Sequence, residues 1–184
     1  MGDGTEIRDR PRGNTPGLDY AFYMRHAADS LLPTASCQLV AMIVNRQTEI
    51  TINLPAIREF ARRLRKSLKM GRRAFDVSFV GDREITRLNK KYRRKPQPTD
   101  VLSFPSGIQD SNFKSPVELK SFLGDIVISA PMAKRNAALD GHSTMCEIRW
   151  LIIHGALHLL GYDHETDKGE MKALELEIRE TLQT

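Results

Sequence analysis

Three histidines near the C-terminal end of the chain have the clearest capacity for chemistry. His154 and His158 lie four residues apart, and His164 follows six residues later. The apolar residues Trp150 to Leu160 predict a buried helix around the first two, and residues four apart lie on the same face of a helix. His154 and His158 can therefore direct their imidazoles at one point.

Gly161 indicates how the third histidine joins them. Glycine adopts positive φ readily and commonly ends helices, so a reversal at Gly161 lets His164 reach the same point from the following loop. Three neutral imidazoles with a fourth position left for water form the ligand set of an open zinc site. A single histidine on an apolar helix is more often a core residue, but packing alone does not explain three at this spacing. We therefore expect one metal ion per chain. Imidazole also suits nickel, copper and iron; geometry and availability favour Zn²⁺.

The same spacing raises a peptidase alternative. The array fits the metzincin protease pattern H-E-x-x-H-x-x-G-x-x-H at every position but one. Gly155 stands where the protease has the glutamate that acts as general base. A metal-dependent hydrolase of the peptidase type therefore remains an alternative that lacks its usual proton acceptor.

Positive charge is concentrated in one part of the chain. Residues 58–95 hold fifteen Lys and Arg against four Asp and Glu, whereas the whole chain carries a net charge of only +5. Such a block indicates a polyanionic partner, although lysines and arginines often only solvate a helix face. Within a predicted amphipathic helix, Arg62, Arg63 and Lys66 are the candidate contacts to such a partner.

Length and composition favour one globular domain. The chain has 184 residues, of which 40% are hydrophobic, and it contains no apolar run long enough to span a membrane. Residues 1–38 are rich in Gly, Pro and charge and predict a poorly ordered N-terminal extension. Residues 39–184 predict a single domain. Two lone cysteines and the absence of a secretory signal pattern favour a cytoplasmic location.

Strands and helices alternate along the predicted domain. Apolar runs predict strands at 40–44, 75–80, 101–104 and 123–129. Periodic patterns predict helices at 54–70, 83–92, 131–139, from 143 or 144 onward, and from about 166. A polar loop is expected over 106–119. This order indicates an α/β (α+β) fold, in which a small mixed sheet of three or four strands packs against several helices. The metal site is expected at the end of a buried helix.

Three segments resemble one known family. The array His154–His164, H-G-A-L-H-L-L-G-Y-D-H, resembles the defining motif of the YbeY family. The segment Tyr92–Pro105, Y-R-R-K-P-Q-P-T-D-V-L-S-F-P, is similar to that family's second box, and Leu123–Ile128, L-G-D-I-V-I, is similar to its central strand. The resemblance covers about residues 40–182.

This resemblance implies a function. YbeY proteins are bacterial metal-dependent endoribonucleases of ribosomal RNA maturation. The resemblance implies single-strand-specific cleavage, processing of the 16S rRNA 3′ end and a part in ribosome quality control. It also implies RNA and the ribosomal subunit as partners, and possible ribosomal-protein or GTPase partners. Its arginine box assigns a catalytic role to Arg93, whose planar fork can grip two phosphate oxygens. Arg94 and Lys95 are weaker candidates for phosphate contact. A non-catalytic, ribosome-associated metal-binding protein is the remaining alternative, but structural zinc sites generally have four protein ligands.

Overall fold

A computed structural model describes residues 42–106, 121–164 and 166–184. The predicted N-terminal extension and most of the predicted polar loop lie outside these residues. Within them the strands are β1 (Ile43–Asn45), β2 (Ala74–Val80), β3 (Val101–Pro105) and β4 (Phe122–Ser129). The helices are α1 (Leu54–Ser67), α2 (Asp82–Arg93), α3 (Ala130–Asp140), α4 (Thr144–Leu159) and α5 (Glu170–Leu182). No helix in these ranges is long and apolar enough to cross a bilayer.

The described strands form one mixed sheet in the order β1-β2-β4-β3. β1, β2 and β4 are parallel, and β3 pairs antiparallel with β4. Every residue of β4 is buried, including Asp125 and Ser129, which explains why its sequence is mostly apolar rather than alternating. The predicted mixed sheet packed against several helices is confirmed.

The two faces of the sheet are covered by different helices. Ile126 and Ile128 of β4 belong to a large core that includes residues of α1, α3, α4 and α5. Val127, which points to the opposite face, belongs to a smaller core with Ile85 and Leu88 of α2. The metal helix and the helix that ends at Arg93 therefore lie on opposite faces of one sheet.

Two helices begin at residues other than those predicted. In each case a carboxylate near the start of the helix accepts hydrogen bonds that affect where the helix begins. The last helix begins at Glu170 rather than near 166, because Gly169 adopts φ +100° and the Asp167 carboxylate accepts from the backbone N–H groups of Gly169 and Met171. The helix predicted over residues 83–92 begins one residue earlier, with Asp82 as the first residue of α2. Its carboxylate accepts from Ser129 Oγ at 2.6 Å and from Arg135 at 2.7 Å.

Candidate metal centre

Helix α4 carries two of the three candidate ligands. Ser143 caps its start by accepting from the Cys146 N–H, the favourable role of serine at this position. Ile148, Ile152, Ile153 and other apolar residues bury most of its circumference. His154 and His158 are only half-buried, so they lie on the strip of the helix that is open to ligands.

Gly161 turns the chain so that the third histidine returns to the helix. Its φ is +95°, and the Tyr162 N–H donates back to the Leu157 carbonyl. The imidazole of His164 then lies 5.4 Å from that of His154 and 5.2 Å from that of His158, between ring centroids. One ligand atom of each histidine lies within 4.8 Å of the others. The structure thus brings the three predicted ligands together.

The ring nitrogens of the two helical histidines have distinct partners. Nδ1 of His158 lies 3.0 Å from the Tyr162 carbonyl, and Nδ1 of His154 lies 3.3 Å from Oε2 of Glu175. A carbonyl and a carboxylate only accept, so both Nδ1 atoms must carry the protons. The two Nε2 atoms therefore carry no proton. They face each other with their lone pairs at a distance of 3.1 Å.

This arrangement fits a metal ion. Two lone pairs in contact repel each other unless a cation lies between them. Zn–N bonds of about 2.0–2.1 Å in tetrahedral geometry place ligand nitrogens about 3.3–3.4 Å apart, close to the separation observed here. Metal-binding histidines also typically donate the other ring N–H to a carboxylate or a carbonyl. The donor set therefore suits a divalent ion with a preference for imidazole.

Electrostatics favour the ligand forms of these groups. Burial lowers the pKa of His158, and the neighbouring His154 and His164 lower it further, which favours the neutral imidazole that binds metal. Burial opposes ionisation of Glu175. The hydrogen bond from His154 and the charge of Arg179 outweigh burial, so the pKa of Glu175 lies below its ordinary value.

Glu175 is a residue that sequence reasoning missed. The carboxylate at His154 comes from α5, 21 residues along the chain. The available signal was the pair Glu175 and Arg179, four apart on a predicted helix. Nothing in the sequence specifies which helix such a pair faces.

His142 also makes contacts that the sequence did not predict. Its Nε2 lies 2.8 Å from Oε2 of Glu147, and its ring packs 4.4 Å from that of Trp150. The His142 side chain is only 15% exposed and that of Glu147 only 9%. His142 therefore joins α4 to the turn that precedes it.

Arg93 lies at the C-terminal end of α2, and its neighbours Arg94 and Lys95 follow the helix. All three are exposed. Within the described residues, no hydrogen bond or ion pair links Arg93 to the histidines. Arg94 adopts φ +59°, and the Lys95 N–H donates to the Asn89 carbonyl, so the chain turns sharply after Arg93.

The ends of α2 and α4 both pack against the β3–β4 pair, from opposite faces of the sheet. Tyr92 packs edge-on against Phe104 of β3, with ring centroids 5.2 Å apart. Phe104 pairs with Asp125 of β4. The residue before Asp125 is Gly124, where an added Cβ would lie 2.1 Å from the Phe104 carbonyl oxygen and 3.0 Å from the side chain of Leu159 at the end of α4. Arg93 is therefore next in sequence to Tyr92, and His158 is next to Leu159. Both of these neighbours pack against the β3–β4 pair.

The candidate RNA contacts on α1 are exposed on the helical layer that includes α4 and α5. Arg62 binds Glu59 through two hydrogen bonds of 2.9 and 2.6 Å. Arg63 donates to the Leu182 carbonyl at the end of α5. Lys66 is exposed in the last turn of the helix. Arg63 thus contacts α5, whereas Arg62 is held on α1 by Glu59.

Gly155 packs directly on the sheet. A Cβ at this position would lie 2.8 Å from Cγ2 of Ile126 and 3.1 Å from its Cδ1. Because Ile126 is β-branched and fully buried, it has little freedom to move away. A glutamate here would point into the sheet and not toward the histidines, so the helix has no place for the peptidase base.

Comparisons with known proteins agree with this architecture. A family model described as Endoribonuclease YbeY matches residues 42–183. The chain is 44% identical over 137 residues to a Solibacter usitatus protein named endoribonuclease YbeY, covering 74% of this chain and 84% of the relative. It is 39% identical over 141 residues to a Koribacter versatilis protein of the same name, covering 77% and 85%.

A solved structure shares the fold. The solution structure of a Thermotoga maritima protein, 26% identical in sequence, covers 77% of this chain and 89% of its own, with a TM-score of 0.52. Since the family match extends across the sheet, the helices and all three histidines, the chain belongs to the YbeY family of endoribonucleases.

Proposed function

We propose that this chain is a Zn²⁺-dependent endoribonuclease that cleaves single-stranded RNA, with His154, His158 and His164 as the ligands of one ion. The observation that carries the proposal is the pair of Nε2 atoms 3.1 Å apart whose Nδ1 atoms are already bonded elsewhere. A catalytic site needs three protein ligands and an open position. His164 is exposed, so a substrate has access to that side.

Different residues of the chain have different roles in phosphodiester cleavage. When bound, the ion supplies Lewis acidity toward a phosphoryl oxygen and makes water more acidic. The Tyr162 carbonyl and Glu175 hold the rings of His158 and His154 in the orientation that presents Nε2. Arg93 binds phosphate oxygens through its planar fork and stabilises the negative charge that grows as the P–O bond breaks. This role is the same whether water or the RNA 2′-hydroxyl attacks.

The position of Arg93 supports its role. Arg93 follows Tyr92, which packs on Phe104 of β3, and His158 precedes Leu159, whose side chain lies near Gly124 of β4. We propose that an RNA strand at the β3 edge of the sheet contacts both groups. Arg94 and Lys95 extend the positive charge along the same edge and are proposed as phosphate contacts.

The wider setting of the enzyme is proposed from the family. We place the activity in residues 39–184 and in the cytoplasm, in ribosomal RNA maturation that includes the 3′ end of 16S rRNA and ribosome quality control. A ribosomal subunit is the proposed partner, and ribosomal proteins or a GTPase are the candidates for protein partners.

Metal removal tests the function directly. The purified protein is expected to contain one equivalent of zinc and to cut an unpaired rRNA fragment. It should lose that activity in a chelator and recover it when zinc is restored. Casein serves as the competing substrate, because the peptidase alternative predicts its cleavage. Chelator-insensitive RNA cleavage would contradict the proposal, and so would proteolysis without RNA cleavage.

The α1 surface is tested by charge reversal. Replacing Arg62, Arg63 and Lys66 by glutamate is expected to weaken RNA binding, because contacts to phosphate are lost. Each lost contact to a single strand should also reduce the slope of log K against log salt by about 0.7. Loss of all three contacts should lower the slope by about 2. Binding is measured by fluorescence anisotropy between low and high salt.

A matched control separates local contacts from net charge. Lys134, Lys168 and Lys172 are exposed and lie outside the basic block, so their replacement by glutamate changes the net charge equally. If both triple variants lose the same affinity and slope, α1 does not contact RNA, and binding is concentrated around Arg93, Arg94 and Lys95.

A further inference from the structure

Two residues of α4 face two residues of α5 at matching helical spacing. Trp150 and His154 lie four apart on α4, and Glu175 and Arg179 lie four apart on α5. His154 Nδ1 is 3.3 Å from Glu175 Oε2. The Arg179 guanidinium lies 4.1 Å from the centroid of the Trp150 ring, within the range of a cation–π contact. The two helices are thus joined by two adjacent contacts, of which one includes a candidate metal ligand.

Both oxygens of the Glu175 carboxylate are engaged. Oε2 faces His154, and Oε1 accepts from Nη2 of Arg179. The side chain of Glu175 is 13% exposed, so water competes weakly for it. Because the Arg179 guanidinium contacts both Trp150 and the Glu175 carboxylate, that carboxylate has little freedom to rotate away from His154.

An ionised carboxylate fixed in this way determines the form of the imidazole that it contacts. It only accepts hydrogen bonds, so His154 keeps its proton on Nδ1. Nε2 must then present its lone pair toward His158 and His164. The negative charge also increases the basicity of the ring, which strengthens it as a metal ligand.

We propose that Glu175 is the positioning residue for His154, and that Arg179 and Trp150 fix Glu175 for this task. The inference rests on the proposed metal site and extends it to α5. Helix α5 thereby has a part in metal binding although it supplies no ligand. The competing interpretation is that Glu175 merely joins two helices, in which case its loss would affect stability alone.

The experiment measures zinc affinity by competition with a chromophoric chelator in the full-length protein. Glu175→Gln keeps the size of the side chain and removes its charge, and Glu175→Ala removes the contact. Glu177, exposed on the same helix, provides the control Glu177→Gln. Partners that orient a ligating histidine typically contribute 10–100-fold in affinity. We expect a loss of about tenfold for Glu175→Gln, up to about 100-fold for Glu175→Ala, and no change for the control.

Two further measurements keep the inference falsifiable if Glu175→Ala folds poorly. Arg179→Lys retains a charge but not the fork that holds the carboxylate, and should also lower zinc affinity. In the metal-free protein, nitrogen chemical shifts of the histidine rings should place the His154 proton on Nδ1 in the wild type and show a mixture of tautomers in Glu175→Gln.

The outcomes separate this inference from the proposed function. If the wild type binds one zinc ion and both Glu175 variants bind it as tightly, the positioning role is wrong and the metal site stands. A wild type that binds no metal, or a His154→Ala variant that binds it unchanged, overturns the metal site and the positioning role together.

Discussion

Alanine at His154, His158 or His164 is expected to remove most of the bound zinc and to lower RNA cleavage by more than about 100-fold. Each substitution leaves two ligands, and two imidazoles cannot hold the ion in a fixed geometry. Metal content by elemental analysis and cleavage of an unpaired RNA fragment are the measurements.

The three variants should differ in stability but not in metal loss. His164 is exposed in a loop, so His164→Ala should unfold at nearly the wild-type temperature. His26→Ala is the control, since His26 is isolated in the sequence, and it should retain full metal and activity. A triple variant of His154, His158 and His164 that still carries one equivalent of zinc would disprove the site.

Arg93→Ala is expected to reduce kcat by about 100- to 1,000-fold, which is the usual effect of removing one group that stabilises transition-state charge, about 2.7–4 kcal/mol. Arg93 is exposed at the end of α2, so the free energy of unfolding should change by less than about 0.5 kcal/mol. Zinc content should not change. Single-turnover cleavage kinetics and thermal unfolding are measured on the same preparation.

Two companion substitutions sharpen this prediction. Arg93→Lys retains the charge without the planar fork and should recover only part of the rate. Arg83→Ala, exposed at the other end of the same helix, should leave the rate unchanged. Wild-type cleavage by Arg93→Ala would rule out the role, and a parallel loss of stability and activity would make Arg93 structural.

Local patterns in the sequence determined the elements that hold the ligands. The spacing of His154 and His158, the apolar helix around them and the glycine that reverses the chain each depend on residues within about two helical turns, and all three features occur in the structure. The β4 strand could also be predicted from its mostly apolar sequence, since a strand covered on both faces is rich in apolar side chains.

Features that depend on packing between distant segments could not be predicted from the sequence. The predicted strands did not reveal the order β1-β2-β4-β3 or the antiparallel direction of β3, because a buried apolar run fits many neighbours. From the sequence, Gly155 indicates only that the general base of the peptidases is missing. The structure shows that Ile126 leaves no room for a side chain at this position.

The chemistry of the site divides in the same way. Sequence alone determined which residues could bind a metal, since ligand type and helical spacing are local properties. Only the tertiary structure decided which nitrogen of each ring is available. That choice depends on the Tyr162 carbonyl and on Glu175. Glu175 reaches His154 only because the packing of α5 against α4 brings together residues 21 positions apart, and no local periodicity encodes that approach.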